Sequence, residues 1–139
     1  MIDIIITSAI VMLLLDSVYL SSSSNFFNKI VKNIQGSNLN LNIYGAILCY
    51  LLLIFGINYF ILLNKSLNYK KKLLNSFVLG IVIYGVFEAT NICIFNKWQW
   101  DAVVLDTLWG GILFLLTTLI TINLLKIIRK KLNIKSISL

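Results

Sequence analysis

The sequence predicts an all-α protein, a four-helix transmembrane bundle with a short interfacial amphipathic helix between spans one and two. Three observations lead to this prediction. The 139 residues are 59 % apolar and only 12 % charged, whereas a soluble domain is nearer half apolar and a quarter charged. The apolar residues come in four blocks of about twenty, the length that crosses the hydrocarbon core of a bilayer. None of these blocks alternates with period two, which argues against a membrane barrel.

The four blocks predict one integral membrane domain, residues 1–139, with no linker that would separate a second domain. Span one covers about residues 4–20, span two 41–63, span three 73–95 and span four 102–125. Trp98 and Trp100 lie in the short connection between spans three and four, where aromatic residues anchor a helix pair at the membrane surface.

The segment NFFNKIVKNI, residues 25–34, follows span one and is too short to cross a bilayer. Its apolar helical face carries Phe26, Phe27, Ile30, Val31 and Ile34, and its polar face carries Lys29, Lys32 and Asn33. We expect this segment to lie in the outer interface as a short amphipathic helix. A loop packed over the bundle is the alternative.

The basic residues predict the orientation of the spans. Nine of the twelve lie between spans two and three (Lys65–Lys72) or after span four (Lys126–Lys135). With four spans these two segments lie on the same side, so the positive-inside rule places both termini in the cytoplasm. Because the +7 charge is concentrated beside the spans, we expect it to meet lipid headgroups and expect no nucleic-acid partner.

Three of the five acidic residues fall inside predicted spans. Asp3 and Asp101 lie at span ends, whereas Asp16, Glu88 and Asp106 lie within. A carboxylate at the centre of a span costs about 3 kcal/mol and usually faces the bundle interior or water. All three lie within about two turns of the outer ends, roughly 6–12 Å at 1.5 Å per residue. We therefore expect them to share one site in the outer half of the bundle.

Polar side chains accompany these acids at helical spacing. Tyr84, Glu88 and Asn91 share one face of span three, and Asp106 and Gly110 share one face of span four. No basic residue lies within the spans, so three neighbouring carboxylates cannot all be ionised cheaply. Either some are protonated, or a cation or cationic ligand joins them, or water enters. A role limited to fixing helix register is the alternative.

Metal and cofactor chemistry is not indicated. The chain has no histidine, the commonest metal ligand and proton shuttle. Cys49 and Cys93 lie inside apolar spans and lack metal-ligand spacing. We expect no metal and no cofactor.

The runs YGVFEATNICIFNKW (residues 84–98) and VVLDTLWGG (103–111) resemble the signature of a family of small four-span membrane proteins, catalogued as domain of unknown function twenty-one seventy-seven. LDSVYL (15–20) resembles the first-helix Leu-Asp-x-x-Trp-Leu pattern of that family. Tyr19 stands where Trp is usual, and Glu88 where Asp is usual. The resemblance implies the four-span fold and a special importance for Asp16, Glu88, Thr90, Asn91, Asp106, Trp109 and Gly110. It brings no known activity and only a hint of association with lipid-modifying systems.

The expected ligand site consists of Asp16, Glu88, Asn91 and Asp106, with Tyr19, Tyr84, Thr90, Trp109 and Gly110 in support. Lys97, at the outer rim, is the nearest candidate basic partner. The leading hypothesis is that the carboxylates bind or translocate a small cation, a proton or a cationic solute.

Two rival hypotheses follow from the same residues. A neutral carboxyl could donate a proton to a lipid-like substrate, which would make the protein a membrane-embedded acid/base enzyme such as an isomerase or cyclase. The protein could instead be an accessory subunit of a lipid-modifying system. Expected partners are the lipid bilayer, a small cation or lipid-like ligand, and a homo-oligomer or larger membrane complex, because one small bundle encloses little room for a pore.

Overall fold

The computed structural model describes residues 1–131, and this part of the chain contains helices and no strand. The helices are α1 (Ile2–Gln35), α2 (Ile43–Ile57), α3 (Tyr69–Ile94) and α4 (Trp100–Lys131). One π-helical turn, Asn58–Leu62, extends α2. Four segments are long and apolar enough to cross a membrane, so the prediction of an all-helical, multi-pass membrane protein is confirmed. Lys135, predicted to belong to the C-terminal basic cluster, lies outside the described residues.

The amphipathic segment is helical, as predicted, but it is continuous with span one and does not form a separate helix. α1 has 34 residues, roughly 51 Å at 1.5 Å per residue, so it extends well beyond a 30 Å hydrocarbon core. The serine run does not interrupt it because each hydroxyl bonds within the helix: Ser22 Oγ donates to Val18 O, and Ser23 Oγ to Tyr19 O, each at 2.8 Å. We call residues 25–35 the α1 extension.

The expected polarity of the α1 extension is present. Ile30 is only 1 % exposed, while Lys29 and Lys32 on the opposite face are exposed. Gly36 ends the helix in the left-handed conformation, with φ 78°, which glycine adopts without steric cost. Lys97 Nζ donates to Asn33 O at 3.0 Å, which ties the end of the extension to the connection between α3 and α4.

Asparagines start the next two helices. Asn42 Oδ1 accepts from the backbone N–H groups of Tyr44 and Gly45 at 3.1 Å, and Asn68 Oδ1 accepts from that of Lys71 at 2.9 Å. These three bonds satisfy backbone donors that have no partner inside the helix.

Glycines bring α3 and α4 into backbone contact. A Cβ added at Gly80 would meet the carbonyl group of Gly110. A Cβ at Gly110 would overlap the ring of Tyr84, and one at Gly111 would lie 2.8 Å from the Phe77 ring. Small residues permit such close helix approach in membranes. The described core then joins α1, α2 and α4 through Ile4, Met12, Leu53, Ile57, Leu62, Leu113, Phe114, Ile122 and Leu125.

The beginning of α1 and the end of α4 lie at the same end of the bundle. Arg129 Nη2 contacts Asp3 Oδ2 at 2.6 Å, and Asp3 Oδ1 also pairs with the terminal amino group at 2.8 Å. We call this end of the bundle the inner end and the opposite one the outer end. Lys72 lies in the first turn of α3 near the inner end, where its ammonium donates to Leu62 O at 2.8 Å and caps the end of α2.

Candidate functional site

The carboxyl groups of Asp16, Glu88 and Asp106 lie together in the outer half of the bundle. Their residues are 5 %, 0 % and 9 % exposed, respectively. All three carboxyl groups lie around the side chain of Tyr19. Three helices therefore bring one acid each to a common level, although the acids are separated by up to ninety residues in the sequence.

Asp16 is fully engaged by hydrogen bonds. Its Oδ1 accepts from Trp109 Nε1 at 2.8 Å, and its Oδ2 accepts from the hydroxyl of Tyr50 at 2.7 Å. These bonds tie α1 to α4 and to α2. Because each carboxylate oxygen already has a donor, Asp16 acts as a structural link among three helices.

Asp106 on α4 accepts a hydrogen bond from α1, just as Asp16 on α1 accepts one from α4. The hydroxyl of Tyr19, one turn after Asp16, donates to Asp106 Oδ1 at 2.8 Å. Trp109, one turn after Asp106, is the donor to Asp16. The stretches LDSVYL and LDTLWG thus exchange hydrogen bonds, since in each an aspartate and an aromatic residue three positions later share one helix face.

Glu88 is the least satisfied of the three acids. Its Oε2 accepts from Trp98 Nε1 at 2.7 Å. Its Oε1 is buried and has no hydrogen-bond partner among the described residues. The carboxyl group of Asp106 lies within hydrogen-bonding reach of Glu88. Asn91 is near Glu88, but its Nδ2 makes no hydrogen bond within residues 1–131.

A cavity of about 820 Å³ reaches Glu88 and Asp106 from the outer end. Its walls come from the end of span one, the α1 extension, the connection to α2, α3 and the Trp98 indole. Most of the lining is hydrocarbon: Leu20, Phe27, Val31, Leu39, Leu41 and Phe87. Asp16 is not part of the lining, so the structure separates it from the two acids that face the cavity.

The supporting residues predicted from the sequence have different positions relative to the acids. Tyr19 and Trp109 hold carboxylates directly. Tyr84 packs against Gly110 and supports the contact between α3 and α4. Thr90 is exposed and its hydroxyl donates to Val86 O at 2.7 Å, so its side chain does not reach the acids.

Lys97 does not pair with the acids. Its ammonium contacts Asn33 O because the α1 extension runs over the outer end and offers a free carbonyl there. No basic side chain lines the described cavity.

Two hydrogen-bond donors of the site were not among the residues predicted for it. Tyr50 lies in α2, eight residues after Asn42 and therefore about 12 Å deeper in the membrane. This depth matches that of the acids, and it is the signal that could have identified Tyr50. Trp98 comes from a connection between helices, and no periodicity indicates that its indole folds back onto Glu88.

Comparison with known proteins identifies a family and nothing beyond it. The family described as "Predicted membrane protein (DUF2177)" matches residues 1–123. Neither a curated protein nor a solved structure matches the chain.

Proposed function

The chain belongs to the DUF2177 family of predicted membrane proteins, and we propose that it binds a cationic amphiphile, with the cationic group at Glu88 and Asp106 and the apolar body in the outer cavity. One observation supports this most strongly: Glu88 Oε1 is completely buried and accepts no hydrogen bond from a donor within residues 1–131. Glu88 also lies beside the carboxyl group of Asp106, where an apolar cavity ends.

The charge of the ligand follows from the two carboxyl groups. Close carboxylates repel each other, and a shared proton or a bound cation relieves that repulsion. Since the described lining has no lysine or arginine, an ammonium group can occupy the position that a basic side chain would otherwise fill. Charge-assisted hydrogen bonds to carboxylates are about twice as strong as neutral ones.

The apolar part of the ligand follows from the cavity. Its volume of about 820 Å³ is in the range of pockets that enclose small organic ligands, roughly 300–1,000 Å³. A small hydrated ion would leave the hydrocarbon walls around Phe27 and Phe87 without a partner. An amphiphile with one hydrocarbon chain uses both the walls and the carboxyl end.

Binding is better supported than passage through the bundle. Met12, Ile57, Leu113 and Phe114 are completely buried and belong to one packed cluster inward of the acids. Such a layer opposes the movement of a charged group toward the inner end. Under the positive-inside rule the cavity opens on the outer side of the membrane.

Thermal unfolding in a neutral detergent tests the proposal, with dodecylammonium, dodecanol and dodecanoate as probes. We expect dodecylammonium alone to raise Tm, and the increase to disappear in Glu88→Gln and Asp106→Asn. Asp101→Asn is the matched control, because Asp101 is exposed at the start of α4 and should leave the response intact. Equal shifts with all three probes, or an undiminished shift in Asp106→Asn, would contradict cation recognition.

The proximity of Glu88 to Asp106 also favours a second candidate function, acid/base isomerisation of a lipid-like alkene. The O–H proton of one carboxyl would add to the first alkene carbon, which leaves positive charge on the second. A carboxylate would then take a proton from the allylic carbon attached to that second carbon, so that only the double bond moves. Incubation with a polyisoprenoid in D₂O would introduce deuterium into C–H positions. No incorporation above that of Glu88→Gln would exclude this activity for that substrate class.

A further inference from the structure

A second group of buried polar side chains lies inward of the carboxyl site. Ser8, Ser76, Thr117, Thr118 and Thr121 are 0 % exposed, and Asn58 is 4 % exposed. They come from every helix of the bundle, and all are uncharged. We call them the inner hydroxyl cluster.

Several polar atoms of this cluster have no hydrogen-bond partner among residues 1–131. They are Oγ1 of Thr117, Thr118 and Thr121, and Oδ1 of Asn58. The amide nitrogen of Asn58 is fixed by bonds to Ser8 Oγ at 2.9 Å and Ile54 O at 2.8 Å. The carbonyl oxygen of the same planar amide is therefore held in place as an unused acceptor.

The cluster members of α1, the end of α2 and α4 lie at a similar depth in the bundle, and Asn58 contacts Ser8 directly. On antiparallel α1 and α4, Asp16 pairs with Trp109 and Asp3 with Arg129, so Ser8 lies at about the level of Thr121. The apolar residues near Asn58 and near the threonines in the sequence pack in one cluster, which includes Ile57, Leu62, Leu113, Phe114, Ile122 and Leu125.

The backbone is irregular at the same place. Asn58 begins the π-helical turn, and Leu63 N donates to Asn58 O at 2.9 Å across five residues. Such turns are rare and occur frequently at functional sites.

We propose that the inner hydroxyl cluster binds ordered water, as a second polar site separate from the carboxyl site. In a bilayer, a buried polar group cannot be satisfied by bulk solvent, so it needs an internal partner. Buried waters typically make about three hydrogen bonds to such groups. Hydroxyls can donate and accept, and the cluster offers no carboxylate to compensate a dehydrated cation. Water fits these groups better than an ion does.

The layer of Met12, Ile57, Leu113 and Phe114 then lies between two polar sites. The outer one is charged and joined to the cavity, and the inner one is neutral and hydrated.

Substitution of threonine by valine distinguishes hydrated from dry hydroxyls. If Thr118 and Thr121 bind water, Thr118→Val and Thr121→Val should each lower Tm by a few degrees, because the bound water loses a hydrogen-bond partner. Thr121→Ser is the control, since serine keeps the hydroxyl group. If the hydroxyls are dry, removing an unsatisfied polar group should raise Tm or leave it unchanged, and the proposal is wrong.

One further measurement separates bound water from a bound cation. If the valine substitutions lowered Tm only in the presence of Na⁺ or K⁺, and not with choline as the control cation, the cluster would bind a cation and the water proposal would be wrong.

Discussion

The rings of Tyr19 and Trp109 lie nearly parallel, 4.4 Å apart between centroids with 10° between their planes. Each ring donates a hydrogen bond to the aspartate of the opposite helix, Tyr19 to Asp106 and Trp109 to Asp16. The stack therefore fixes the register of α1 against α4 at the depth of the acids. The reciprocal pattern accounts for two similar Leu-Asp stretches in one short chain.

We expect Asp16→Asn to destabilise the bundle. Both Asp16 oxygens accept hydrogen bonds, so an asparagine amide would place its own N–H₂ group against a donor. Leaving one buried donor unsatisfied costs about 1–3 kcal/mol. Thermal or denaturant unfolding in detergent would measure the loss, and Asp101→Asn at the exposed start of α4 is the control. Unchanged stability would show that Asp16 is not a structural link.

Glu88→Gln and Asp106→Asn should behave differently from Asp16→Asn. These two carboxyl groups lie against each other, and removal of one charge relieves repulsion when no cation is bound. We expect each variant to retain or gain stability in the absence of ligand while losing the dodecylammonium response. A loss of stability as large as that of Asp16→Asn would indicate that all three acids only fix helix register.

Backbone contact between α3 and α4 predicts a strong effect of alanine at Gly80. The added Cβ would meet the Gly110 carbonyl group, which cannot rotate away as a side chain can. We expect Gly80→Ala to cost about 1–3 kcal/mol, the usual penalty of overpacking. Gly56→Ala is the control, because nothing lies within 4 Å of a Cβ at that helical position. Equal effects of the two substitutions would refute close packing at Gly80.

Orientation can be measured with single cysteines in a chain whose native cysteines are replaced. The nine basic residues that the sequence predicts to lie on the cytoplasmic side lead us to expect that a thiol at Gln99 is labelled in intact cells and one at Lys65 is not. Both positions are exposed and lie outside helices. The reverse labelling pattern would place the cavity on the cytoplasmic side.

Much of this arrangement follows from the sequence because it depends on length and period. Block length gives the four spans, and helical spacing gives the inward faces of Asp16, Glu88 and Asp106. The path of the α1 extension does not follow, since an amphipathic pattern is the same whether a helix is separate or continuous. Contacts made from connections, such as that of Trp98, depend on tertiary packing that no local pattern encodes.

Filling the cavity should abolish ligand binding without touching a carboxyl group. Val31, on the α1 extension, lines the cavity, so Val31→Trp should occupy space needed by the hydrocarbon chain of the ligand. We expect the apparent affinity for dodecylammonium, measured from the increase in Tm with its concentration, to fall at least tenfold. The stability of the free protein should change little. Val86→Trp is the control, because Val86 is 63 % exposed on α3 and does not line the cavity. If Val31→Trp bound the probe as well as Val86→Trp does, the apolar body of the ligand would have to lie elsewhere, and the cavity would have no part in recognition.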